Sequence, residues 1–277
     1  MLDRTIAYGL DFTFPLKDNA IGANLALYGE FARPISDFLI EHATAETGLL
    51  IDAGANIGAI SLPFAARRPN WRVISIEPHR GLSALLSANA VNNRLMNIEV
   101  AQVCVGLAPG IVGFPGDPLA SERNFGTLSL KLATDLPTTP TLMTTLDELA
   151  PNGAQLVKMD VEGCDAEALQ GSPNLLHKVR PIWLVEAARN QYPQAAREVI
   201  QTLLEADYCV HWFFAPWTSG GLHKGREVAN LGKGDPNVVA LPRGVENRWN
   251  LPVVKSADDP YPPSAADYGY LLRYNLS

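Results

Sequence analysis

One run of ten residues, Leu49-Leu50-Ile51-Asp52-Ala53-Gly54-Ala55-Asn56-Ile57-Gly58, constrains this chain more than any other stretch. Residues 49–53 read as a short apolar strand with Asp52 inside its end, and a turn holding two glycines follows. Residues 57–66 then read as a helix halted near Pro69. An apolar run without alternation suits a strand covered on both faces. A glycine turn lets the backbone approach a ligand closely. Strand, turn and helix in that order open a parallel α/β sheet whose ligand crevice lies beyond the carboxyl ends of its strands.

The alternation continues. Strands are expected at residues 72–76, 98–105, 155–160, 181–186, 208–214 and 237–241, and helices at 81–91, 145–149, 166–170 and 194–206. Such a sequence predicts a doubly wound, mostly parallel sheet with helices on both faces. Residues 1–27 suggest a hairpin or extended arm, and residues 27–45 carry apolar positions at helical spacing. Glycines and prolines among short β-like pieces make 106–142 an inserted hairpin or loop excursion, and 215–235 reads as loop. We therefore expect an N-terminal arm and helix over 1–48 and a main domain over 49–245 with its insertion at 106–142. A proline-rich tail over 246–277 is expected to wrap that domain's surface.

Composition narrows the function. With 47% apolar and 18% charged residues, the chain has material for a core and excludes disorder and collagen-like repetition. No apolar run approaches the length of a bilayer span, so a soluble, cytoplasmic protein is expected. A formal charge of −7 supplies no basic field, so nucleic acid is not an expected partner. Cys104, Cys164 and Cys209 are too widely spaced for a zinc pattern, and the five histidines form no metal spacing. Cys104 and Cys209 lie in apolar runs, where buried thiols are expected.

Several details sharpen the glycine turn. Asp52 precedes the first glycine, and the spacing is Gly54-x-Asn56-x-Gly58 rather than the Gly-x-Gly-x-x-Gly that cradles a pyrophosphate. Glu77 closes the next strand 25 residues after Asp52, where a carboxylate accepts from both ribose hydroxyls of a nucleoside. S-adenosylmethionine carries an amino group and a sulfonium but no phosphate, and acidic residues such as Asp52 and Glu77 suit it better than an anionic cofactor. The plainer reading is a turn glycine, a capping Asn and a surface Glu; their joint occurrence in this order argues against it.

At these residues the sequence resembles the FkbM family of methyltransferases, a branch of the seven-stranded class I fold. The resemblance rests on residues 51–58, on Ile76-Glu77-Pro78, on Lys158-Met159-Asp160-Val161-Glu162-Gly163, on Ala168-Leu169-Gln170-Gly171 and on Leu184-Val185-Glu186. It implies a Rossmann-like sheet of seven strands and S-adenosylmethionine as cofactor, with S-adenosylhomocysteine as product. It also implies cofactor contacts from Asp52, Gly54, Asn56, Gly58, Glu77 and Pro78, and methyl transfer to a hydroxyl on a small-molecule or glycan acceptor such as a sugar, lipid or natural product.

An alcohol oxygen is a poor nucleophile until its proton is removed, so a base near the methyl group helps. Asp160 ends the fourth expected strand and is our candidate. Glu162 is equally readable as a second catalytic acid or as a helix-start carboxylate. Glu186 ends the fifth strand in the same crevice. With Asp160 it could hold magnesium, but two carboxylates are a thin ligand set, and no metal is the first expectation. Two loops are expected to shape the acceptor pocket, one with Asn124-Phe125-Gly126-Thr127 and one from Trp217 to Lys224. Trp217 is read first as a core plug, His223 as a surface histidine, and Tyr261-Pro262-Pro263 as a rigid surface turn. Two other functions compete: an NAD-binding oxidoreductase, which wants the missing triple-glycine fingerprint, and a non-catalytic nucleoside-binding accessory protein.

Overall fold

Seven strands form the central sheet of the computed structural model, which describes residues 1–276 apart from 117–118, 132–134, 189 and 230. They are β1 (Gly48–Ala53), β2 (Trp71–Ile76), β3 (Ile98–Ala101), β4 (Leu156–Met159), β5 (Ile182–Glu186), β6 (Cys209–Pro216) and β7 (Gly234–Leu241), lying in the order β6-β7-β5-β4-β1-β2-β3. All neighbouring pairs are parallel except those of β7, which runs antiparallel between β5 and β6. Every residue of β4 and β5 is buried. Successive side chains point to opposite faces, so both faces of the sheet are covered, as the unalternating apolar runs require. The sequence order reverses between β1 and β4, and the crevice opens there.

The helices are α1 (Ile21–Tyr28), α2 (Arg33–His42), α3 (Ser61–Arg67), α4 (Arg80–Asn92), α5 (Leu146–Leu149), α6 (Asp165–Gln170) and α7 (Pro193–Glu205). The single helix expected over 27–45 is two, because Gly29 and Ala32 both take left-handed backbone and Pro34 opens the second. Likewise α3 starts at Ser61 rather than Ile57, since Asn56 and Gly58 have φ of +51° and +91°. The strand expected over 98–105 splits: Cys104–Val105 leaves the main sheet and joins Gly110–Pro115 and Thr138–Thr144 in a three-stranded sheet. The excursion is thus a hairpin; its residues 117–118 and 132–134 lie outside the described set. A small hairpin, Leu222–His223 with Arg226–Glu227, interrupts the expected loop over 215–235.

The N-terminal arm is an antiparallel hairpin of Leu2–Ala7 and Leu10–Pro15. Asn89 and Asn93, one turn apart on α4, use their carboxamides as a strand would: each donates to and accepts from the backbone of Thr13 or Asp11 at 2.7–3.0 Å. Phe12, Phe14 and Leu25 from the arm meet Phe114 and Phe125 from the excursion in a second core beside Ile57 and Leu62. Arm and excursion together roof the end of the sheet.

The tail does more than wrap the surface. Its Trp249, Leu251, Tyr268, Tyr270 and Leu271 are buried in the main core, and the Tyr261 ring packs edge-on to Trp212. It also caps the sheet edge. Val254 N donates to Val210 O at 2.9 Å, and Trp212 N to Pro252 O at 2.8 Å. The Tyr270 hydroxyl accepts from Phe214 N at 2.8 Å and donates to Phe214 O at 2.6 Å. An open edge with these groups bare would invite pairing with other chains. Tyr270→Phe strands both Phe214 groups, an expected loss of about 2 kcal/mol and roughly 4–8 °C in Tm. A calorimetric scan with an unaltered Tm would show that the hydroxyl does not clamp the edge. Cys209 also departs from expectation: it opens this edge strand facing outward and is exposed, while Cys104 and Cys164 are buried.

Candidate active site

A cavity of about 430 Å³ lies at the carboxyl ends of β1, β2, β4 and β5. That is ordinary for a small-molecule site. One end is built from the glycine turn. Gly54 N and Ala55 N both donate to Ile76 O, at 3.0 and 2.9 Å, tying the turn to the end of β2. Gly54 has φ of +76°, and a Cβ there would lie 1.8 Å from the carbonyl oxygen of Asp160. Glycine is therefore required twice over, by backbone region and by the close approach of β4.

Glu77 borders the cavity and is 6% exposed. One carboxylate oxygen accepts from Asn56 N at 3.0 Å and the other from His79 N at 2.8 Å. Burial nonetheless pushes its pKa up to about 7, against the pull of those two amides. Gly54, Asn56, Glu77 and Pro78 all line the cavity.

Asp52 and Gly58 do not. Strand register explains the first: Asp52 pairs with Ser75 on one side and Lys158 on the other, so the three side chains share one face beneath the cavity floor. Asp52 is fully buried, accepts from Ser61 Oγ at 2.5 Å and lies 3.4 Å from Lys158 Nζ. It lies beneath the residues that line the cavity. Gly58 sits under the turn, where a Cβ would come 2.2 Å from Leu62.

Lys158 is the residue that sequence reading overlooked. Its ammonium donates to Gly54 O at 3.1 Å and lies 3.6 Å from Asp160. Burial works to lower its pKa, but Asp160 and Asp52 outweigh burial and hold it above the ordinary lysine value. A lysine inside the apolar strand Leu156–Met159 was the available signal, since a buried cation needs carboxylates around it.

Adjoining the turn, the cavity is acidic. Asp160, Glu162 and Glu186 all line it, with a carboxylate oxygen from each within 4.8 Å of the others. Asp160 follows β4 directly. The next turn carries Glu162 and Gly163 at φ of +53° and +88°. Asp165 fixes that turn by accepting from Val161 N and Gly163 N at 3.1 and 3.2 Å, and Ser129 of the excursion donates to Glu162 O at 2.5 Å. Burial, then the charge of Asp160, pushes Glu162 up to about 9 and raises Glu186 well above the usual carboxylate range. Asp165 rises to about 7 and Asp235 to about 6 for the same two reasons. Both effects favour the neutral form of Glu162 in the absence of a cation.

The expected loop Asn124 to Thr127 lines the cavity as anticipated. Trp217 is not a core plug: it forms part of the wall, its Nε1 donating to Asp235 at 2.6 Å and its ring lying 4.0 Å beneath the Lys233 ammonium. His223 is absent from the lining and contacts Ser219 O at 3.0 Å. Asp235 and Asn237 were missed altogether. Both begin a strand and face the cavity, because they are two residues apart on β7.

Residues 52–210, more than half of the sequence, match the methyltransferase FkbM domain. The chain belongs to the FkbM methyltransferase family. Membership makes it a methyltransferase and implies S-adenosylmethionine as the methyl donor. The match begins at Asp52 and takes in the glycine turn, Glu77 and the Lys158 to Gly163 segment; Asp235 and Asn237 lie beyond it.

Among solved structures, an FkbM methyltransferase from Methylobacillus flagellatus KT is 17% identical with a TM-score of 0.48, over 77% of this chain and 49% of that one. This chain thus spans about half of that relative's length. A precorrin-6y C5,15-methyltransferase from Geobacter metallireducens GS-15 is 11% identical with a TM-score of 0.49, over 76% and 87% of the two chains. The O-methyltransferase TomG from Streptomyces achromogenes is 12% identical with a TM-score of 0.44, over 77% and 79%. No curated protein sequence matches the chain. Among the described residues, no helix is long and apolar enough to cross a membrane.

Proposed function

We propose that this FkbM-family chain transfers the methyl group of S-adenosylmethionine to a hydroxyl oxygen on a sugar, lipid or natural-product acceptor. The observation that carries the reading is one cavity lined by two unlike groups that meet where Gly54 touches Asp160: Gly54, Asn56 and Glu77 in the first, and Asp160, Glu162 and Glu186 in the second. The first suits the nucleoside, with Glu77 accepting from the ribose hydroxyls and the bare turn admitting the amino-acid portion. The second suits the acceptor. Its oxygen lone pair attacks the methyl carbon in line, the new C–O bond forms as the carbon–sulfur bond breaks, and the sulfonium leaves as the neutral thioether of S-adenosylhomocysteine. The acceptor's proton passes to Asp160, whose side chain is 36% exposed beside Lys158. Glu162 positions the acceptor as a hydrogen-bond partner. Closeness and exclusion of water supply much of the acceleration.

Incubation with methyl-labelled S-adenosylmethionine and a panel of hydroxylated acceptors should release S-adenosylhomocysteine and label an ether oxygen. Label found only on nitrogen or carbon would refute transfer to oxygen.

Glu77 provides the test of the cofactor end. Glu77→Ala should weaken S-adenosylhomocysteine binding by about 1–3 kcal/mol, the cost of unpaired hydroxyls. Because its pKa is about 7, the ionised acceptor form is lost on acidification, so affinity should fall as pH drops from 8 to 6. Folding stability has the opposite sign: a pKa raised from 4.5 to about 7 favours the fold at low pH, and that contribution fades as pH rises through 7. Calorimetry should show the pH slope in the native protein and flatten it in Glu77→Gln. An equal slope in both would remove Glu77 from the ribose.

A further inference from the structure

We propose that Asp160, Glu162 and Glu186, completed by the side-chain oxygen of Asn237, bind a hard divalent cation such as Mg2+ or Mn2+. The sequence offered only two of these ligands. The structure brings in Glu162 through the left-handed turn after β4, and the carboxylate oxygens of the three acids all lie within 4.8 Å of one another. Ligand oxygens about 2.0–2.6 Å from one ion stand roughly 3–5 Å apart, which is this spacing.

Proximity of acids alone would not make a site. Glu186 is 7% exposed and faces the cavity, and none of the described residues donates a hydrogen bond to its carboxylate or pairs with it. The Oε2 atom of Glu162 is likewise buried without a partner. Carboxylates withdrawn from water and left bare are costly unless something positive meets them. Among the described residues, the cations that border the cavity do not fill this role: Lys158 pairs with Asp160 and Asp52, and Lys233 lies over the Trp217 ring.

A neutral oxygen completes the set. Glu186 and Asn237 face each other in the antiparallel register of β5 and β7, which places both side chains on one face of the sheet. The Asn237 amide nitrogen donates to Asp235 O at 2.9 Å, which orients its Oδ1 away from that contact. An ion with about six oxygen ligands would keep positions for exogenous oxygens. This suits an acceptor that presents two neighbouring oxygens, and a bound ion would lower the pKa of the hydroxyl it holds. In that chemical role the proposal rests on the methyl-transfer reading above.

The test is a Mn2+ titration of the full chain followed by electron paramagnetic resonance of the free ion, with S-adenosylhomocysteine affinity measured on the same samples. One Mn2+ per chain is expected, with affinity reduced about tenfold or more in Glu186→Gln and in Glu162→Gln and unchanged in His223→Ala. Mn2+ should raise the Tm of the native protein and not that of Glu186→Gln, whose Tm without metal should equal or exceed the native value because a buried carboxyl without a partner has been removed. A native protein that binds no Mn2+ at millimolar concentration, or a Glu186→Gln variant that binds it equally well, overturns the site. S-adenosylhomocysteine binding without Mn2+ binding sinks the cation site alone. The reverse supports the cation site and sinks the methyl-transfer reading.

Discussion

Asp160→Asn is expected to bind S-adenosylhomocysteine with unchanged affinity and to turn over about 10²–10⁴ times more slowly. The substitution keeps the shape of the side chain and removes its capacity to take a proton. No neighbour can readily replace it. Burial and the charge of Asp160 push Glu162 up to about 9, which favours its neutral form. Glu186 is more deeply buried, and burial followed by the charge of Asp160 raises it well above the usual carboxylate range. A proton acceptor must also reach the acceptor hydroxyl, and the Asp160 side chain is 36% exposed into the cavity beside Lys158. The loss should shrink for acceptors with more acidic hydroxyls, which need less help in losing a proton. A near-native rate, or a loss independent of acceptor acidity, would move proton removal away from Asp160.

Gly54→Ala should damage fold and binding together. The added methyl would sit 1.8 Å from the Asp160 carbonyl oxygen, in a backbone region with φ of +76° that alanine resists. Strain of about 1–3 kcal/mol for the dihedral and a similar sum for the overlap give roughly 4 kcal/mol. For a chain of this size that is roughly 8–16 °C in Tm. Relief requires β1 and β4 to part at their carboxyl ends, which would displace both the turn and Asp160, on the proposed reading the contacts of cofactor and acceptor. Cofactor affinity should therefore fall with stability. A variant with native Tm and native affinity would mean that the close approach of turn and strand is not needed.

What could be read from the sequence follows from how locally each feature is determined. The apolar strands 49–53, 155–160 and 181–186 were legible because burial on both faces leaves little but apolar side chains. The glycine turn and Glu77 were legible because their chemistry is confined to a few consecutive residues. Asp52 was misplaced because its side chain's direction is set by pairing with Ser75 and Lys158 on two other strands, which spacing cannot reveal. Lys158, Asp235 and Asn237 were overlooked for a related reason: their significance lies in neighbours distant in sequence. The tail was underrated because its tyrosines and prolines resemble a loop until Tyr270 is seen clasping the edge strand.

The cavity draws its walls from unlike stretches of the chain. The turn and Glu77 come from the first strands of the sheet, whereas Trp217, Asp235 and Asn237 come from the connection between β6 and β7 and from β7 itself. On the proposed reading, substitutions in the late connection can reshape the wall that faces the alcohol without touching the turn and Glu77 that hold the nucleoside.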